Sequence, residues 1–406
     1  MRAGIEDLGI YVGRASLDVN LLAAARGLDV QRMQNLLMHE KTVALPFEDA
    51  VSFAVNAAKP IIDRLGPAQR DRVEQLIIAT ESGVDFGKPL STYVHQALGL
   101  SRNCRTFEIK HACYGGTAAL QSALAYAHSG VSPGAKTLVI TTDTARPIPN
   151  TYAEPSQGAA AVALLIGDNP GVFVIEKGLS GCYGFEVMDS CRPTPETETG
   201  DSDLSLLTYL ECIEHSFMAY QRKAPATRFG SFDYLAFHTP FGGMAKGAHR
   251  TMMRKFERGV APAQVEEDFL RRLAPSLRYC SRVGNVYSGT VFLALAGVLA
   301  HGSFDAADKR VGLFSYGSGC CSEFYSGLAT GASQRAVVDL GITAQLDARY
   351  RLSVAEYDRL LQMQQPLRFG VRDAEPETGD WEREVEGRGL LILHRIKDYH
   401  REYRWS

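Results

Sequence analysis

Apolar residues along this chain follow two rhythms, short unbroken runs and longer stretches in which they return at helical spacing. The runs predict strands at Leu8 to Val12, Gln75 to Thr80, Lys136 to Thr142, Ala159 to Ile166, Asp233 to Phe237 and Val311 to Ser315, and Thr106 to Ile109 alternates as a short strand does. The helical spacing predicts a helix from about Val30 to Pro46, a longer one from Asp49 to Leu65 in which Pro60 is a point of bending, and others after Cys113, from about Ala245, and from Gly289 to about Ala300. Strands and helices alternate in both halves, which predicts a layered α/β protein. Pro193 to Asp203 is polar, acidic and rich in Thr and Pro, and reads as an exposed loop.

Several polar residues stand where the predicted strands end, and strand ends are where layered α/β proteins build sites. Cys113 falls at a strand-to-helix turn, where unpaired N–H groups and the helix dipole favour a thiolate. Gly115 and Gly116 would let an acyl group approach the sulfur and let the helix pack closely. A small buried cysteine in a core turn accounts for the same window equally well. Glu81 leaves a buried strand, so desolvation would raise its pKa toward neutrality and suit it to general-base work. His238 is delivered into a loop broken by Pro240 and the pair Gly242-Gly243. Asn285 precedes an apolar helix and is readable as its N-cap. The turn Tyr316-Gly317-Ser318-Gly319 can aim a backbone N–H at an oxyanion. His111 reads as a structural residue.

Composition narrows the field. A chain of 406 residues, 45% hydrophobic and 22% charged, has the make-up of a soluble globular enzyme with two subdomains. A net charge of -3 argues against a nucleic-acid binder. Its 8 cysteines lack the spacing of a zinc site and read as reduced thiols, so no metal is expected. The first residues are acidic rather than a signal sequence, and no apolar stretch reaches spanning length, so the expected compartment is the cytoplasm and no membrane is expected as a partner.

Taken together, Ala79-Thr80-Glu81-Ser82-Gly83, Ala112-Cys113-Tyr114, His238-Thr239-Pro240-Phe241 and Gly284-Asn285-Val286-Tyr287, in this order, resemble the 3-hydroxy-3-methylglutaryl (HMG) synthases of the thiolase superfamily. The likeness spans almost the whole chain. It implies a five-layered αβαβα sandwich of two similar halves, residues 1–167 with Glu81 and Cys113, and residues 168–406 with His238, Asn285 and the Gly317 to Gly319 turn. It implies a homodimer and three stages of chemistry. Cys113 takes an acetyl group from a donor thioester while the N–H near Ser318 holds the oxyanion. Glu81 then removes a methyl proton and the carbanion adds to the β-ketone of an acceptor thioester, with His238 polarising the acceptor oxygen. Asn285 positions the acceptor, and Tyr287, Pro240 and Phe241 line the substrate site. Water finally releases the enzyme thioester. No bound cofactor is implied, the acyl groups being carried on phosphopantetheine or coenzyme A.

Within the family, mevalonate-pathway members carry lysines after the histidine where this chain has Gly243, Lys246 and Gly247, so cations that would attract the phosphates of coenzyme A are missing. Arg102 to Arg105 and Lys110 to Ala118 resemble the branch that installs β-branches on carrier-bound chains in polyketide assembly lines. The expected function is therefore an HMG synthase acting on donor and acceptor acyl carrier proteins. A mevalonate-type coenzyme A enzyme and a catalytically silent carrier-binding partner are the alternatives. Where mevalonate-type enzymes have a tyrosine after Asp-x-Ala-Arg this chain has Pro147, with Tyr152 as a substitute for it or a differently shaped donor pocket as the other reading. Arg250, Arg254 and Arg258 fall at four-residue steps beside Lys255, a stripe that would dock an acidic carrier or form a solvated helix face.

Overall fold

The computed structural model describes residues 2–194, 197–304 and 307–406. The strands that frame the site are β1 (Ala3–Tyr11), β2 (Val73–Ala79), β3 (Arg105–Ile109), β4 (Lys136–Thr144), β5 (Ala159–Gly167), β6 (Phe173–Tyr183), β7 (Ser190–Thr194), β8 (Thr197–Gly200), β9 (Tyr234–Phe237), β10 (Lys309–Gly317) and β11 (Cys321–Ala329). The helices are α1 (Ala50–Arg64), α2 (Gly115–Ser129), α3 (Ser202–Lys223), α4 (Gly242–Phe256), α5 (Pro262–Arg272) and α6 (Thr290–His301). Hydrogen bonds join β9-β10-β11-β6-β1-β5-β4-β2-β3 in that order, with β2, β3 and β4 parallel and β9 parallel to β10.

The unbroken apolar runs are unbroken because these strands are covered on both faces. Ala160, Val162, Leu164 and Ile166 of β5 face a central core with Leu120 and Ala123 of α2 and Val291 to Ala296 of α6. Ala161, Ala163 and Leu165 face the opposite way, onto Phe53, Ala54, Ala57 and Ile61 of α1. On the other side Val311 and Leu313 of β10 meet the central core, and Phe314 and Tyr316 pack with Phe217 of α3, Ala248 of α4 and Phe269 of α5. The layers are therefore helix, strand, helix, strand, helix, with α2 and α6 in the middle. Asp49 caps α1 through a capping box with Ser52, and Pro60 lies inside a helix that continues to Arg64.

Close approach in the middle layer depends on two glycines. A Cβ on Gly116 would lie 2.6 Å from Thr141 Cγ2 and 3.0 Å from Phe292 Cε2, and one on Gly289 would lie 2.9 Å from Thr141 Oγ1. The glycine at 116 serves packing, while a Cβ on Gly115 would meet only ordinary contacts at 3.5 Å or more.

Three sequence expectations are corrected. The stretch from Val30 to Pro46 is a short helix, Val30–Gln34, followed by a strand, Glu40–Val43, that pairs with Ala15–Asp18. Pairing supplies Lys41, Thr42 and Val43 with backbone partners and burial that an isolated helical turn would not. Pro193 to Asp203 is not a loop throughout: β7 and β8 form an antiparallel hairpin with Thr199 opposite Cys191, and α3 begins at Ser202. Thr and Cys at facing positions suit a ladder better than the polar composition suggests. The arginine stripe is also shorter than its spacing implies, because α4 ends at Phe256 and Arg258 lies in the turn beyond it.

Candidate active site

Glu81 sits two residues past the end of β2, and Cys113 sits in a single 3₁₀ turn, Ala112–Tyr114, between β3 and α2. Ala112 holds a left-handed φ of 38° there, a local strain at the residue that aims the thiol. Because β2 and β3 are neighbours, the two ends meet, and Cys113 Sγ donates to Glu81 Oε1 at 3.6 Å. Each keeps some exposure, but both lie deep. Burial, reinforced by the Glu198 carboxylate, pushes Glu81 up to about 7 against the opposing pull of the Arg192 guanidinium.

The thiol departs from expectation. Burial raises the Cys113 pKa well above its ordinary value, and Glu81, Asp143 and Glu198 add to the rise. The 3₁₀ turn separates the sulfur from α2, and three nearby carboxyl groups outweigh the helix dipole. At rest Cys113 is a thiol whose proton points at the Glu81 carboxyl.

Asp143, near the end of β4, fixes the Glu81 segment. Its Oδ1 accepts from Thr80 Oγ1 at 3.1 Å, from the Glu81 N–H at 2.8 Å and from Ser82 Oγ at 2.9 Å. Burial and the Glu81 charge push Asp143 far up, and its Oδ2 is buried with no partner among the described residues. The β7–β8 hairpin closes over the same spot. Arg192 donates to the Glu81 carbonyl at 3.5 Å, to Glu198 Oε2 at 2.7 Å and to the Tyr287 hydroxyl at 2.9 Å.

The second half supplies the remaining elements. Gly317 at the end of β10 abuts the Cys113 turn: a Cβ there would lie 2.5 Å from the Tyr114 nitrogen. The following turn is anchored by Asp189, which accepts from the Gly319 N–H at 3.0 Å and from the Tyr316 hydroxyl. The Cys320 N–H goes to the Phe185 carbonyl, while the Ser318 N–H has no acceptor among the described residues. One strand over, His238 follows β9 and donates its N–H to the Phe314 carbonyl at 2.7 Å. Burial lowers its pKa to about 3, so the ring is neutral, and its Nδ1 is buried without a partner among the described residues. Pro240 and Phe241 keep partial exposure at the start of α4.

Asn285 does cap a turn, but not α6 directly: its Oδ1 accepts from the Tyr287 N–H at 3.0 Å and from Thr290 Oγ1 at 3.2 Å. Its backbone joins the two halves, accepting from the Gly158 N–H at 3.0 Å and donating to the Ser156 carbonyl at 2.7 Å. Tyr152 is 41% exposed with the Arg32 guanidinium 4.2 Å over its ring, a surface stack. His111 packs edge-on against Tyr114, with its Nε2 buried and unpartnered among the described residues.

Sequence reasoning missed Asp143, Arg192, Glu198 and Asp189. Asp143 carried the signal that marked Glu81, a carboxylate at the exit of a buried strand; the others lie in or beside the segment read as a loop.

The loop after His238 gains a physical explanation. A Cβ on Gly243 would lie 2.0 Å from the Asn35 carbonyl oxygen, so no side chain fits there while Asn35 to Leu37 hold their place. Lys246 is engaged, 2.6 Å from Glu266 and 4.7 Å over the Phe269 ring. Arg250, Arg254 and Arg258 are exposed and have no ion-pair partner among the described residues, whereas Lys255 pairs with Glu214.

Comparison with known proteins agrees with this geometry. Residues 3–171 match the family model for the N-terminal part of hydroxymethylglutaryl-coenzyme A synthase, and residues 256–404 match that for its C-terminal part. The chain is 53% identical to the polyketide biosynthesis 3-hydroxy-3-methylglutaryl-ACP synthase PksG of Bacillus subtilis (strain 168), over 99% of each chain. It is 32% identical to the hydroxymethylglutaryl-CoA synthase of Enterococcus faecalis, over 89% of this chain and 91% of that one. The crystal structure of the HMG synthase of the curacin biosynthetic pathway superposes with a TM-score of 0.97 at 51% identity over 100% of both chains, and that synthase has also been solved with holo donor-ACP. The fold is accordingly thiolase-like.

Proposed function

The chain belongs to the hydroxymethylglutaryl synthase family, and from that premise we propose that it is the carrier-protein-dependent condensing enzyme of polyketide β-branching. It moves an acetyl group from an acetyl-acyl-carrier protein to Cys113 and adds the derived carbanion to the β-ketone of a carrier-bound β-ketoacyl thioester. The observation that carries this reading is the Cys113 thiol donating to a Glu81 carboxyl whose pKa lies near neutrality.

As Cys113 Sγ attacks the donor carbonyl, its proton passes to Glu81 Oε1, and the Ser318 N–H holds the oxyanion. Collapse expels the pantetheine thiolate, which takes the proton back from Glu81. Glu81, again a carboxylate, removes a proton from the acetyl methyl. Thioester α-protons are far too weakly acidic for an unaided carboxylate, so fixed donors to the enolate oxygen must supply much of the barrier reduction. The carbanion forms its bond to the acceptor ketone carbon while neutral His238 donates from Nε2 to the ketone oxygen, and the proton held by Glu81 returns to the new alkoxide. The Asn285 amide nitrogen, which donates to no protein group among the described residues, is offered to the acceptor thioester, and Tyr287, Pro240 and Phe241 line its path. Water then cleaves the Cys113 thioester to a carboxylate. Only acyl groups and protons move, so no resident cofactor or metal is invoked.

Gly243 against Asn35 and the engaged Lys246 favour a pantetheine arm without nucleotide phosphates over coenzyme A. Arg250, Arg254 and Arg258 offer free positive charge to an acidic donor or acceptor carrier. The free edge of β3, where Phe107 is 38% exposed, supports a homodimer formed across that strand. We place the halves at 1–167 and 168–406, because β1 to β5 end before Asp168 and the other strands of the large sheet follow it. Among the described residues no helix is long and apolar enough to cross a membrane, and the 8 free thiols support a cytoplasmic enzyme.

The test is intact-mass spectrometry after mixing with acetyl-carrier protein or acetyl-coenzyme A, beside Cys113→Ala. Acetyl gain from the carrier that vanishes in Cys113→Ala is expected. Efficient gain from coenzyme A instead supports the mevalonate-type activity, and no Cys113-dependent gain from either overturns the reading.

A further inference from the structure

Two charged residues of the β7–β8 hairpin have no part in the chemistry written above, yet they close directly over its base. Arg192 and Glu198 face each other at 2.7 Å, and the same guanidinium reaches the Glu81 carbonyl and the Tyr287 hydroxyl. Gln157 adds a hold on Glu198 from just before β5, its Nε2 donating at 3.3 Å. A surface ion pair would be screened and dispensable. This one is partly withdrawn from solvent: the Arg192 side chain is 18% exposed and that of Glu198 30%, and the ring partner of Arg192, Tyr287, is buried at 3%. The hairpin also has a fixed root, because Asp189, just before β7, anchors the Ser318 turn and accepts the Asp201 N–H at its carbonyl.

We propose that Arg192 and Glu198 are positioning residues of the condensation, a cation and an anion held against Glu81 whose balance sets the pH at which Glu81 acts as base on the acetyl methyl. The charged and titratable groups facing Glu81 are Cys113 from the nucleophile turn, Asp143 from β4, Tyr287 from the turn before α6, and this pair from the hairpin. Burial pushes Tyr287 and Asp143 toward their neutral forms, and Cys113 is capped by the acetyl group when the base acts. Arg192 and Glu198 form the ion pair beside Glu81, and its two members pull in opposite directions. The cation favours the Glu81 carboxylate, and the anion disfavours it. The pair therefore makes a prediction that a purely structural role does not make: neutralising its two members should move the same titration in opposite senses.

This inference rests on the reading of Glu81 as the base of an acetyl-Cys113 condensation, and the experiment separates the two. Full-length wild type, Arg192→Gln and Glu198→Gln are first acetylated from acetyl-carrier protein and weighed. Condensation with acetoacetyl-carrier protein is then followed in single turnovers across pH. Both variants are expected to gain acetyl. The midpoint of the ascending limb is expected to rise by about one pH unit in Arg192→Gln and to fall by a similar amount in Glu198→Gln, since a charge within a few ångströms shifts a carboxyl by that order. Arg192→Lys, which keeps the charge without the fork, should hold the wild-type midpoint, and it serves if the Gln variant does not fold. Midpoints that stay put, or move the same way in both variants, overturn the inference and leave the functional reading intact. A wild-type enzyme that gains no acetyl on Cys113 overturns the functional reading, and the inference with it.

Discussion

Cys113 Sγ and Glu81 Oε1 stand 3.6 Å apart, with the thiol as donor, so the proposed nucleophile and the proposed base share one proton. This contact ties the two half-reactions together. Glu81→Gln should impair acetyl transfer, because the thiol loses its proton acceptor, and should lower the condensation rate of pre-acetylated enzyme by about 10²–10⁴-fold, the usual worth of a general base. Cys113→Ala should abolish acetyl gain altogether. Single-turnover mass spectrometry reads both effects, and an unimpaired condensation step in Glu81→Gln would remove Glu81 from the mechanism.

The raised pKa values of buried carboxyl groups predict how stability changes with pH. Glu48, buried with the Tyr11 hydroxyl on its Oε1 at 2.5 Å, is pushed from 4.5 up to about 7 by burial, as Glu81 is. A carboxyl with a raised folded pKa binds its proton more tightly in the native state. Its contribution is complete below the unfolded pKa and is lost as pH rises through the folded one. Urea unfolding should therefore show stability falling between pH 4.5 and about 7, by up to about 1.4 kcal/mol per pH unit per group. Glu48→Gln should flatten that slope, and a slope unchanged in Glu48→Gln would show that Glu48 does not titrate as described.

Gly116 is expected to tolerate no side chain. With Thr141 Cγ2 at 2.6 Å and the Ser288 carbonyl at 3.0 Å from a Cβ, Gly116→Ala should cost about 1–3 kcal/mol by overpacking. Gly247 on α4 has nothing within 4 Å, so Gly247→Ala should be neutral or stabilising by about 0.5–1 kcal/mol. Thermal unfolding of the two variants should move in opposite directions or differ clearly in size.

The exposed arginines make a kinetic prediction. Reversing Arg250 and Arg254 to Glu, or Arg254 and Arg258, should raise the KM for acetyl-carrier protein several-fold, each exposed pair being worth about 0.2–1 kcal/mol, with little change for a pantetheine thioester lacking the protein. The effect should shrink as salt is added. Carrier kinetics that ignore both reversals would mark this face as solvated and nothing more.

The sequence by itself determined the strands and helices wherever burial is uniform along an element. The run Ala159 to Ile166 reads correctly because both faces of β5 are covered, and α6 because almost every residue is buried. Glu81, Cys113 and His238 were legible for a local reason: each stands at the end of an apolar strand, within a motif of a few residues. The tertiary structure alone decided what surrounds them. Asp143 reaches the Glu81 N–H from 62 residues away and Arg192 reaches its carbonyl from 111, so neither contact leaves a trace in local periodicity. The same holds for the state of the thiol. A strand-to-helix turn predicts a thiolate, but Cys113 stays protonated because burial and the carboxyl groups of Glu81, Asp143 and Glu198 converge on it from different segments. Local patterning is set by the nearest neighbours along the chain, whereas pKa values and clashes such as Gly243 on Asn35 are set by neighbours in space, which only the packed layers bring together.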